Sequence, residues 1–264
     1  MIMRFSYQTI SAIGLIALMT GVAPVVHLET GSAFVIQIKA ANFLNQGLEK
    51  AKQGNYQGAI ADYTLAIQSD PNYAAAYLNR GLAYRELGNF ESAIADYGQA
   101  LRIEPNNAIV LYNRGEAYSN AGNLAEALAD LNRAIELKPN YPDAYNSRGV
   151  VYAKLSDLQK AMMDLNQAIK LKPDYVDAYY NRGQTRTFLK DVEGAIADYT
   201  EAIMQNSSLA EAFMNRGVLY FKTKNKQAAL ADLQKAAQLF NDRGDRQRYQ
   251  QTLVLIQRIQ QVLE

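Results

Sequence analysis

Six aspartates stand 34 residues apart, at Asp62, Asp96, Asp130, Asp164, Asp198 and Asp232. On the same period run the arginines Arg80, Arg114, Arg148, Arg182 and Arg216, and the asparagines Asn45, Asn79, Asn113, Asn181 and Asn215, with Ser147 in the fourth copy. Carboxylates can move protons, guanidiniums can hold anions, and each carboxamide offers a donor and an acceptor. The rest of the chemical inventory is thin. There is no cysteine, and the single histidine, His27, lies ahead of the periodic region. The periodic region therefore has no imidazole, the commonest general base, and no thiol nucleophile, and it lacks the usual zinc ligands. No glycine-rich or histidine-bearing motif joins the carboxylates. This pattern reads as a non-catalytic chain that needs neither cofactor nor metal.

The charged columns read more readily as structure. Pairing each aspartate with the arginine eighteen residues later gives Asp62 with Arg80, Asp96 with Arg114, Asp130 with Arg148, Asp164 with Arg182 and Asp198 with Arg216. It also accounts for Gln46, which stands where the first copy would carry its arginine and has no preceding aspartate to meet. The expectation is a structural ion pair across each boundary, costing about 3–5 kcal/mol when one buried partner is removed. The competing register is sixteen residues, inside a copy.

What positions these columns is a repeat. Glycines at Gly47, Gly81, Gly115, Gly149, Gly183 and Gly217 keep the same 34-residue spacing, and a fixed period of that length signals a solenoid of stacked units. The second copy carries Tyr77, Gly81, Tyr84, Ala93, Tyr97, Ala100 and Pro105. This pattern resembles the tetratricopeptide repeat family over about residues 40–240. Later copies depart from it, with Ser207 and Asn241 in the proline position and Arg186 in the aromatic position held by Tyr84, Tyr118, Tyr152 and Tyr220.

Within that copy the apolar and small residues fall three and four apart in two runs, broken at Gly88-Asn89, which predicts two helices per unit. A column of glycines inside helices predicts close approach of the paired helix, since each costs about 1 kcal/mol against alanine. Tyr84, Tyr118, Tyr97 and Tyr199 are expected in the core. Pro71, Pro105, Pro139 and Pro173 should stop the second helix, with the following Asn or Asp capping the next. The expected fold is an all-α, right-handed solenoid of six helix-turn-helix units, at 40–73, 74–107, 108–141, 142–175, 176–209 and 210–241. A capping helix over 242–264 should bury Tyr249, Leu253, Ile256, Ile259 and Leu263. Residues 34–39 read as a linker.

Residues 1–33 differ in kind. After Arg4 no charge appears until Glu29, and the intervening run is largely apolar, as in a secretory signal peptide or membrane anchor. Gly31 and Ala33 suit cleavage after Ala33. The expected location is exported and extracytoplasmic, anchored if this segment is retained, with membrane contact only through it. With 27 basic and 26 acidic side chains, nothing draws nucleic acid.

The family resemblance implies that the first helix of each unit lines a concave groove, which would hold the asparagine column. That column is similar to the asparagine ladder in the repeat superhelix of O-linked N-acetylglucosamine transferases and would suit an extended peptide backbone. The same residues could instead tie neighbouring helices together. Beside them lie Leu44, Leu48, Leu78, Leu82, Tyr112, Glu116, Asn146, Val150, Tyr180, Gln184, Met214 and Val218, a largely apolar lining apt for a peptide or partner helix. The lysines with which chaperone adaptors of the family clamp a C-terminal carboxylate are missing, so heat-shock chaperone tails are disfavoured. The expected partner is a protein or peptide held by a scaffold or adaptor. The alternatives are a receptor for a small apolar ligand and a non-catalytic subunit of an enzyme. One irregular feature, Arg182, Arg186 and Lys190 at spacing four, reads as a basic stripe or solvated surface.

Overall fold

The structure is a computed structural model that describes residues 31–261, with side chains from Ile36 onward. The expected signal or anchor segment therefore lies outside the described residues, apart from the backbone of 31–33. Thirteen helices make up the described chain, which contains no strand.

Two compact units are formed. The first holds three hairpins: α1 (Gly31–Lys52) with α2 (Tyr56–Ser69), α3 (Ala74–Glu86) with α4 (Phe90–Ile103), and α5 (Ala108–Ala121) with α6 (Leu124–Leu137). The second holds α7 (Pro142–Lys154) with α8 (Leu158–Leu171), α9 (Val176–Phe188) with α10 (Val192–Gln205), and α11 (Ala210–Lys222) with α12 (Lys226–Asp242), followed by α13 (Arg246–Gln261). In each unit every helix packs on the next, and first helices of successive hairpins also touch, α1 with α3, α3 with α5 and α7 with α9. Helix α1 begins at Gly31, so residues 34–39 continue a helix and are not the expected linker. Helix α12 runs on to Asp242, which moves the start of the last helix to Arg246.

The helix ends follow from backbone chemistry. Asp70, Glu104, Lys138 and Lys172 each precede a proline, whose ring excludes helical geometry from the residue before it, and each ends its helix with ψ between 78° and 99°. The expected caps of the following helices fall one residue late. The cap positions are Tyr73, Asn107, Tyr141 and Tyr175, and of these only Asn107 accepts backbone N–H groups through its side chain. The side-chain caps sit on the second helices instead. Asn55, Asn89, Asp157, Asp191 and Asn225 accept from the N–H three residues on, a column of period 34 that hydrophobic spacing does not reveal.

The glycine column is explained by close packing of the paired helix. A Cβ on Gly81 would meet the Tyr97 ring at 2.6 Å, and one on Gly149 would meet Leu165 at 3.0 Å. Tyr97 and Tyr199 are fully buried, as expected of core residues, whereas Tyr84 and Tyr118 keep part of their surface exposed. On α13 the buried residues are Thr252, Ile256 and Ile259, while Leu253 remains exposed, so the burying face is rotated from the expected stripe. Tyr249 packs beside that face, and Leu263 lies outside the described residues.

The turns inside the hairpins distinguish the two units. Gly54, Gly88 and Gly122 take left-handed backbone in the first, and Ser156, Lys190 and Lys224 take it in the second, at φ of 63°, 64° and 63°. A side chain there costs about 1–2 kcal/mol that glycine avoids. Each of Ser156→Gly, Lys190→Gly and Lys224→Gly is therefore expected to raise the stability of the second unit by about 1 kcal/mol, less the entropy glycine gains when unfolded. Thermal unfolding followed by circular dichroism checks this. A lower melting temperature for all three would contradict it.

Candidate partner-binding face

The arginine and aspartate columns meet in the shorter register. Arg80 donates through Nε and Nη2 to both oxygens of Asp96, at 2.8 Å each. The same fork joins Arg114 to Asp130, Arg148 to Asp164, Arg182 to Asp198 and Arg216 to Asp232. The eighteen-residue pairing expected from Gln46 is thus corrected to sixteen. The column arginine sits on the first helix of a hairpin, and the aspartate lies on the second helix of that same hairpin, facing it across the shared packing seam. Asp62 takes Lys50 in place of an arginine, at 2.6 Å. Gln46 needs no further explanation.

Aromatic rings flank each fork. Arg80 lies over Tyr77, Arg148 over Tyr145 and Arg182 over Tyr179, with 5.4–5.8 Å to the ring centroids. Such stacking favours the planar, weakly hydrated guanidinium over an ammonium. The hydrogen bonds to Asp96, Asp130 and Asp164 hold the protons of Arg80, Arg114 and Arg148 above the ordinary arginine range. These charges are consumed within the hairpins.

The fifth hairpin modifies the motif. Arg186, standing where other copies carry an aromatic, turns inward, placing Nη1 3.0 Å from Asp198 and donating to the carbonyl of Gly194. Asp198 is 2 % exposed and neutralises two arginines. The expected basic stripe does not form, because the half-buried Arg182 and Arg186 both turn to Asp198.

The asparagine column divides. Asn45 is exposed, and Asn79 donates to Ala75 O one turn back on its own helix. Asn113 is buried, donating to Ile109 O and accepting from Arg85. Asn181 donates to Asn146 Oδ1 at 3.0 Å, and Asn215 donates to the Tyr180 hydroxyl at 3.3 Å. Three carboxamides therefore tie one first helix to its neighbour.

The apolar neighbours divide as well. Leu48, Leu78, Leu82, Tyr112, Val150 and Val218 are partly exposed, whereas Leu44 and Tyr180 are buried and Met214 packs against the α13 cluster. Helix α13 docks through Arg248, which pairs with the buried Glu211 of α11, and Arg243, the residue that ends α12, pairs with the same carboxylate. Glu211 continues an acidic column, with Asp143 and Asp177 at the same period, but its arginine partners have no counterpart in the earlier copies. Among the described residues no three His, Cys, Asp or Glu side chains gather as a metal site, and no helix is long and apolar enough to cross a membrane.

Buried phenols set the alkaline limit. Burial, helped by the neighbouring Asp62 charge, pushes Tyr63 up to about 12, and burial pushes Tyr199 up to about 12, from an ordinary value of 10.0. Folding favours the neutral phenol, so this stability is complete below pH 10 and is lost as the pH rises from there through about 12. Tyrosinate absorbance and helicity are expected to change together in that window, with a higher alkaline midpoint for Tyr63→Phe. Ionisation well before helicity is lost would contradict it.

Paired helices stacked in series, with ionic columns sealed inside each hairpin, define an α-helical repeat protein of the solenoid class. Models of the TPR repeat match residues 47–88, 81–122 and 120–156, and models of the tetratricopeptide repeat match 142–175 and 180–245. The chain belongs to the tetratricopeptide repeat family. Among solved structures it is similar to MamA, at 25% identity over 66% of this chain and 94% of that one, with a TM-score of 0.57. PilW, described as a widely conserved type IV pilus biogenesis factor, shares the fold at 23% identity over 81% of this chain and 98% of its own, with a TM-score of 0.72. YrrB, described as a TPR protein with an unusual peptide-binding site, matches at 26% identity over 68% of this chain and 93% of its own, with a TM-score of 0.52. No curated protein matches the chain.

Proposed function

We propose that this chain is a non-catalytic scaffold that holds an extended peptide or partner helix against the row of first helices, in the assembly of an exported or membrane-associated complex. The observation that carries the reading is the division of labour among the columns. The charged columns and Asn113, Asn181 and Asn215 are spent on holding helices together, while Leu48, Leu78, Leu82 and Tyr112 keep part of their surface exposed on the first unit. Contact is thus carried by apolar side chains, with Asn45 and Asn79 left to meet a peptide backbone. The peptide-binding description of YrrB supports the class of partner, and the uncharged stretch after Arg4 supports export or anchoring.

A small-ligand receptor finds little support at the concavity lined by Ile36, Lys39, Phe43, Leu65, Gln68 and Ser69, which measures about 220 Å³, below the roughly 300–1,000 Å³ of ordinary ligand sites. Photo-crosslinking residues placed singly at Leu82 and Tyr112, and at Ala95 and Arg102 on the exposed face of α4, test the scaffold reading. Partner adducts are expected from the first two positions only. Adducts from both faces alike would overturn it.

A further inference from the structure

Within the unit of residues 140–261, the hairpin turns form a row. Asp143 meets Tyr175, Asn146 meets Asn181 and Tyr180 meets Asn215, so α7, α9 and α11 run parallel and their C-terminal ends share one edge. That edge carries Leu155, Phe188 and Leu189, which are 48%, 47% and 37% exposed. Beside them stand Lys190, Lys222 and Lys224, all exposed. The nearby acids are largely taken, Asp157 by Lys160 and Asp191 by Arg186, with Glu193 further along α10. Positive charge is left over.

The simplest explanation is a helix end that attracts cations to its carbonyl dipole. It covers Lys154 and Lys222, which lie in the last turns of α7 and α11, but it does not cover Lys190 and Lys224. Those two occupy the left-handed turn position, where the hairpins of residues 31–139 use glycine at all three equivalents. Lysine is a poor choice for such backbone, and strain kept at an exposed position points to a use for the side chain. The combination of protruding apolar tips and lysines in a row matches the boundary between anionic headgroups and acyl chains, where Phe and Leu insert and each lysine adds electrostatic attraction.

We propose that this turn edge docks on an anionic lipid surface, through Leu155, Phe188 and Leu189 inserted between headgroups and Lys190, Lys222 and Lys224 laid on them. This contact is separate from the first-helix face and does not depend on what that face holds. The test is co-sedimentation of the full chain with vesicles of zwitterionic phosphatidylcholine, with and without a third of anionic phosphatidylglycerol. The variant is Lys190→Gly with Lys224→Gly, which removes two charges while relaxing the turns, so lost binding cannot be blamed on unfolding. The expected result is salt-sensitive binding that requires the anionic lipid and weakens roughly thirtyfold in the variant. Phe188→Ser should weaken it further. Binding that ignores lipid charge, as the apolar N-terminal stretch alone would give, overturns the proposal. So does binding equal in wild type and variant, or capture by polyglutamate without capture by anionic vesicles.

Discussion

Asp198→Asn is expected to cost the second unit about 3–5 kcal/mol, the largest loss from any single change in the charged columns. The carboxylate is almost sealed from water and accepts the fork of Arg182 on one side and Arg186 on the other. Asparagine keeps the shape but leaves Arg182 with no counter-charge, and Arg186 with only the more exposed Asp191, in a site where water reaches the lost carboxylate poorly. Arg182 is held further by Asn166 and by the Tyr179 ring, which fixes it in place after its partner is lost. Asp62→Asn is the control. Its Lys50 side chain is 41% exposed and can return to solvent, so the loss should be near that of a surface pair, about 1 kcal/mol or less. Denaturant unfolding of the two variants measures the contrast, and equal losses would show that burial of the pair does not set its worth.

Gly81→Ala is expected to destabilise the first unit by about 1–3 kcal/mol, against the helix propensity that favours alanine by about 1 kcal/mol. The added methyl would lie 2.6 Å from Cε1 of Tyr97, and Tyr97 is fully buried with no room to retreat. The same change at Gly149 should cost less, since Leu165 approaches only to 3.0 Å and its branched end can turn aside. Combining Gly81→Ala with Tyr97→Leu, the side chain used in the third, fourth and sixth hairpins, should lose less than the two single losses added together. Strict additivity would mean that the glycine is not there to admit the ring.

The repeat, its two helices and its glycine seam were legible because identical chemistry recurs six times and each recurrence constrains the others. The charged columns were legible as ion pairs, but not their register, because sixteen and eighteen residues both place a carboxylate near a guanidinium until the tilt of the second helix is known. Gln46 suggested a missing predecessor, whereas Asp62 had simply found Lys50. Arg186 looked like a free surface charge by its spacing and is instead half-buried and paired, because Asp198 offers a second oxygen that spacing cannot display. The asparagines were legible as a column but not as ties. Their partners, Arg85, Asn146 and Tyr180, lie about one repeat away on neighbouring helices. The pairing of Glu211 with its two arginines was hidden for the opposite reason: the acid recurs at Asp143 and Asp177, but 34 residues before Arg243 and Arg248 stand Leu209 and Met214, so the contact itself leaves no period.

The most direct measurement is the affinity of the crosslinked partner segment, by titration calorimetry, for wild type, Tyr112→Ala on the first-helix face and Arg102→Ala on α4. A buried aromatic anchor removed from a binding face typically costs 2 kcal/mol or more, so Tyr112→Ala is expected to bind about thirtyfold more weakly while Arg102→Ala binds as wild type. Unchanged affinity for Tyr112→Ala, with weakened binding by Arg102→Ala, would place the partner on the outer helices and contradict the scaffold reading.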